Sequence, residues 1–160
     1  MNIQQQHNEK GFTIIEVVLV LAIAGLIFLM VFIALPALQR SQRDTARKQD
    51  VGTVSAAVTS YTSNNRGQFP AASTITLPAT GATGIGGYFG DLSDNITQVQ
   101  VRAAGTGSVT AGDGIIVVTP KTQCGTSSTT SETLTAGTTR QFTTVTKLEA
   151  GNGAYFCQNS

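Results

Sequence analysis

Glu16 is the only ionisable side chain between Lys10 and Arg40, and it stands at the start of an unbroken apolar run. An acid placed inside a membrane costs on the order of 2.5–3.5 kcal/mol on insertion scales and by default marks function. The chemistry open to Glu16 is charge pairing, and the apolar run offers it no cation. Cys124 and Cys157 are the second set of reactive residues, and they lie beyond that run. One cysteine pair in a domain outside the cytoplasm reads as a disulfide. A metal site would need two more soft ligands. A bridge of this kind contributes about 3–4 kcal/mol in the chain-entropy model.

Other chemistry is thinly represented. The single histidine, His7, precedes the apolar run. A chain that loses it is a poor candidate for zinc hydrolysis or a Ser-His triad. Gly84-Ile85-Gly86-Gly87 follows no strand pattern and opens no helix pattern, so it is a surface loop rather than a phosphate cradle. Asp91, Asp94 and Asp113 are too scattered for a calcium loop. The net charge of +1 argues against nucleic-acid binding by bulk electrostatics. No enzymatic activity, cofactor or metal is expected.

These residues need elements to position them. Val17 to Leu38 is a run of 22 residues without a charge. As a helix it is about 33 Å long at roughly 1.5 Å per residue, which matches a hydrocarbon core of about 30 Å. Apolar residues cover every face, so this is a membrane span and not an amphipathic surface helix. The run is too long for an ordinary secretory signal, and Leu35-Pro36-Ala37-Leu38 is a poor cleavage site. Residues 39–65 continue the helix. Val51, Val54, Val58 and Tyr61 form one apolar stripe at helical spacing, with Ala57 beside them. Arg40, Arg43, Asp44, Arg47, Lys48 and Asp50 are expected on a solvated face, with Asp44 and Lys48 paired at i, i+4.

Strand patterns follow a loop region over 67–95. Thr97–Ala103 alternates apolar and polar residues, and Gly114–Thr119 holds the β-branched run Ile115-Ile116-Val117-Val118. Gln141–Glu149 and Ala154–Cys157 complete the set, joined by a hairpin turn at Gly151-Asn152-Gly153. Thr126–Thr139 is rich in Ser and Thr without apolar period and reads as a loop. Tyr88, Phe89 and Tyr155 are expected in the core. The fold class is α+β: a long N-terminal helix packed on a small antiparallel sheet of about four strands.

Lys10-Gly11-Phe12-Thr13-Ile14-Ile15-Glu16, followed by the apolar run, resembles the type IV pilin signature. The resemblance covers Lys10 to about Leu38. It implies that a prepilin peptidase and N-methyltransferase cuts between Gly11 and Phe12 and methylates the new Phe12 amine. Residues 1–11 would be a cleaved leader, 12–38 the transmembrane and assembly helix, 39–65 its amphipathic continuation, and 66–160 a β head with a disulfide. It also implies assembly through Glu16, with the Phe12 amine as its cation; the two lie four residues apart on one helix face. Gly25 and Pro36 bound the segment that loses helical structure in related filaments. Pro36 comes eleven residues after Gly25, about one turn later than is familiar.

The implied function is that of a structural subunit, of the major kind, in an extracellular filament. Such filaments serve attachment, twitching motility and sometimes DNA uptake. A pseudopilin of a type II secretion or competence system shares the same N-terminus and is the alternative. The implied partners are the chain itself in a helical homopolymer, a pilus platform protein, assembly and retraction ATPases, and the cytoplasmic membrane before assembly. The basic residues Arg40, Arg43, Arg47 and Lys48 after the span would place the head in the cytoplasm by the positive-inside rule. The processing motif is the more specific signal and places it outside.

Overall fold

The computed structural model describes residues 11–78, 84–150 and 152–160. The chain divides into two units, Met1–Leu38 and Gln39–Ser160.

In the first unit the apolar residues are helical from Ile14, the start of α1 (Ile14–Asn64). Thr13 is its N-cap. The Thr13 hydroxyl and backbone N–H donate to Glu16 Oε2 at 2.7 and 2.9 Å, and Glu16 N donates back to Thr13 Oγ1 at 3.4 Å. This Thr-x-x-Glu exchange is a capping box, which satisfies N–H groups that the first turn leaves without partners. Gly25 and Pro36 both lie within the helix. Leu21, Phe28 and Met30 are 65 %, 66 % and 75 % exposed, and an 18-residue window of the helix is apolar enough to cross a membrane with none of it buried.

The second unit has three layers because its central strand is apolar on both sides. β4 (Ile115–Pro120) lies in the middle of a five-stranded sheet of order β1-β2-β4-β7-β8. Its neighbours are β1 (Ser73–Thr76), β2 (Gln98–Val101), β7 (Phe142–Lys147) and β8 (Tyr155–Asn159). Ile116 and Val118 face one way, onto Val51, Val54 and Val58 of α1 together with Val99, Val101 and Phe142. Val117 faces the other way with its register partner Val145, onto Val109 and Leu134. Those last two belong to a second sheet of order β3-β6-β5, made of β3 (Gly107–Val109), β6 (Glu132–Ala136) and β5 (Thr122–Ser127). A strand covered on both faces must read as a continuous apolar run, and Ile115–Val118 does.

The α+β layout stands as expected, with more strands than the sequence suggested. Among the described residues there are five in one sheet and three in the other, and β2 and β4 run parallel while the remaining pairs are antiparallel. The expected loop at Thr126–Thr139 holds the end of β5 and all of β6. Its period-2 pattern is Glu132 and Leu134 inward, Thr133 and Thr135 outward. The inward glutamate breaks the apolar alternation that would have announced a strand. The 67–95 region likewise contains β1 and a 3-10 turn at Gly84–Tyr88. In the β7–β8 hairpin Asn152 and Gly153 take φ of 56° and 80°. Positive φ at both positions matches the twist of a tight hairpin. Gly151, the first residue of the expected turn, lies outside the described residues.

The expectation of a solvated charged face on α1 holds for Arg40 and Lys48 and is overturned for three of its residues. Asp44, Arg47 and Asp50 are buried, at 5–6 % exposure. They point at the sheet side of α1 and bind backbone and side chains there. The Asp44–Lys48 pair is not formed among the described residues. Asp44 accepts instead from the backbone of Glu149 and Ala150, at 2.7 and 2.8 Å.

Candidate processing and assembly site

Gly11, Phe12, Thr13 and Glu16 lie together at the N-terminal end of α1. Phe12 is 89 % exposed and precedes the first helical residue. The expected placement of Phe12 and Glu16 on one helix face therefore does not hold, because Thr13 caps the helix and its first residue, Ile14, comes two after Phe12. Glu16 Oε2 takes both bonds from Thr13, and Oε1 has no hydrogen-bond partner among the described residues. The site is thus a carboxylate anchored through one oxygen and open at the other among the described residues. Its chemistry is acceptance of a cation. Residues 6–32 match the prokaryotic N-terminal methylation motif. That motif is the kind found in the class III signal peptide of type IV pilins. The motif supports a type IV pilin-like or pseudopilin protein, and it implies processing by a prepilin peptidase and polymerisation. No curated protein and no solved structure matches the chain. The methylation motif ends at residue 32, so Glu16 and Gly25 fall within it and Pro36 just beyond.

Sequence reasoning took Thr13 as one letter of the signature and missed its capping role. The Thr-x-x-Glu spacing just ahead of an apolar run was the available signal.

The second unit adds two constellations. Cys124 and Cys157 are joined, with Cα atoms 5.9 Å apart. The bridge ties β5 of one sheet to β8 of the other. Glu132, 1 % exposed, lies against it, with a carboxylate oxygen and both sulfurs within 4.8 Å of one another. The sulfurs are spent on each other, so the trio offers no thiolate pair to a metal. Nothing in the sequence paired Glu132 with the cysteines.

The other constellation is a clamp between α1 and the end of β7. Arg43 Nε donates to Glu149 Oε2 and Arg47 Nη2 to Glu149 Oε1, both at 2.8 Å, while Arg47 Nη1 donates to the Lys147 carbonyl at 2.9 Å. The hydrogen bond from Arg43 holds the Glu149 carboxyl below its ordinary pKa, helped by the charge of Arg47. The same bond raises Arg43. One turn further on, Asp50 accepts from Ser93 N at 3.0 Å and from the Ser93 hydroxyl. The charge run at the base of the helix is therefore a docking device for the rest of the unit, a role hidden because its partners lie 43 to 106 residues away in sequence.

Proposed function

We propose that the chain is a structural subunit, of the major kind, of an extracellular type IV pilus filament, with a mechanical rather than catalytic role. The observation that carries this reading is the methylation motif at residues 6–32 running straight into an exposed apolar helix. The peptidase cuts between Gly11 and Phe12 and methylates Phe12. The free oxygen of Glu16 then accepts the Phe12 amine of a neighbouring subunit, and this one pair sets the axial register. Gly25 and Pro36 are where the packed helix gives way. Before assembly the head lies outside the cytoplasmic membrane. A platform protein and cytoplasmic assembly and retraction ATPases draw it from the membrane and return it, and the filament serves attachment and twitching motility. DNA uptake is a further role open to the same filament, and a pseudopilin of a type II secretion or competence system, which shares the same N-terminus, is the alternative reading.

Intact mass of subunits from sheared surface filaments is expected to lack residues 1–11 and to carry one added methyl group. Glu16→Gln, expressed as the only copy, is expected to leave cleavage and membrane insertion intact and to give few filaments. A charged amine facing a neutral amide there costs about 3–5 kcal/mol. Normal filament numbers in that variant would remove the register role from Glu16. Secretion loss with no surface filaments in the wild type would favour the pseudopilin.

A further inference from the structure

The cations of the second unit are unevenly used. Arg43 and Arg47 bind Glu149, and Lys147 lies 3.7 Å from Asp113. Lys48 Nζ sits 5.5 Å from the centre of the Phe156 ring. Apart from Arg40 at the start of the unit, the remainder are Arg66, Arg102, Lys121 and Arg140. All four are exposed, and none forms an ion pair among the described residues. They come from separate places: the turn that ends α1, the residue after β2, the β4–β5 turn and the β6–β7 connection. The fold brings them to one end of the unit, where two open concavities meet. One, of about 560 Å³, is lined by Arg102 and Lys121. The other, of about 810 Å³, is lined by Arg66 and Arg140. Gly67 and Thr139 line both, so the two form one groove. No Asp or Glu side chain lines either part.

We propose that this groove binds a linear acidic polysaccharide, with the ring carboxylates read by the four cations. Arginine presents a planar fork that matches a carboxylate with two parallel bonds. The rest of the wall is rich in hydroxyl and amide groups, including Thr62, Ser63, Gln68 and Gln141, which suit sugar hydroxyls. Single-stranded nucleic acid is disfavoured because the groove's aromatic rings are engaged with each other rather than set out as a stacking platform. Phe69 and Phe142, which line it, pack edge-to-face on each other at 5.9 Å, and Phe142 is 3 % exposed. Duplex DNA is a rod too broad to enter concavities of this size. The proposal concerns the folded head and holds whether or not the chain polymerises.

The test uses the full chain in detergent micelles, with polygalacturonate as probe and neutral dextran and a short duplex DNA as comparisons, at low salt. Polygalacturonate is expected to bind, dextran not to bind, and added salt to weaken the complex. Arg66→Gln with Arg140→Gln is expected to weaken binding about tenfold, and all four cations changed to Gln about a hundredfold. The double variant should keep the wild-type melting temperature, since both side chains are exposed and unpaired. Wild-type affinity in the double variant, or no binding of polygalacturonate, would overturn the proposal. So would duplex DNA binding as tightly as the polyuronate, which would make the groove a nucleic-acid surface.

Discussion

Glu132 is buried at 1 % exposure, and its Oε2 has no hydrogen-bond partner among the described residues. An unpartnered buried polar atom carries its full desolvation cost, about 1–3 kcal/mol. Glu132→Leu is therefore expected to leave the head equally stable or to stabilise it by up to about 2 kcal/mol, read as an unchanged or raised melting temperature. A fall of several degrees would mean that the carboxylate makes a net favourable contact with its surroundings. Glu132 and Glu16 also differ in how far they could be read from the sequence. Glu16 was legible because it is one acid in an apolar stretch, where any charge is conspicuous. Glu132 sits among Ser and Thr, where an acid looks like part of a solvated loop. Its burial depends on β3 and β5 flanking β6, which local composition does not record.

At the scale of elements, the Arg43–Arg47–Glu149 clamp gives a pH dependence with a definite sign. Glu149 is held below its ordinary value of 4.5, so the clamp's contribution is fully present above that pH. It is lost as pH falls through the lowered folded-state value. The wild type is expected to lose thermal stability below about pH 4.5 more steeply than Glu149→Gln, which should show a flatter profile there. At neutral pH the variant should be less stable by about 1–3 kcal/mol, because the buried Arg47 loses its anion. Superimposable pH profiles for the two proteins would show that the clamp adds nothing. The helix stripe Val51, Val54 and Val58 and the four expected strands were legible because their periods are local. The parallel β2–β4 pair and strands β1, β3, β5 and β6 were not. Short strands of Ser, Thr and Gly acquire their pairing from neighbours rather than from their own hydrophobicity. The charged turns of α1 misled for a related reason: i, i+4 spacing suggested local pairs, while the sheet supplied stronger, distant ones.

At the scale of the whole molecule, the Cys124–Cys157 bridge ties the last strand of one sheet to the other sheet, and it encloses β6 and β7 within a covalent ring. A subunit whose proposed work is mechanical will meet tension, and the ring limits how far tension can lengthen it. The cysteines are separated by 33 positions, and that stretch is shunted by a link only 5.9 Å long between Cα atoms. At about 3.3–3.6 Å per extended residue, the hidden length is roughly 110 Å. Pulling single molecules between handles at Gln39 and Ser160 is expected to give a contour shorter by that amount than after reduction. Equal contours with and without reductant would mean that the ring is open in the protein being pulled. With the ring closed, an overloaded head yields only the chain outside it, so the stretch that carries β6 and β7 stays shielded from the load and short, a tethered loop from which the rest can refold.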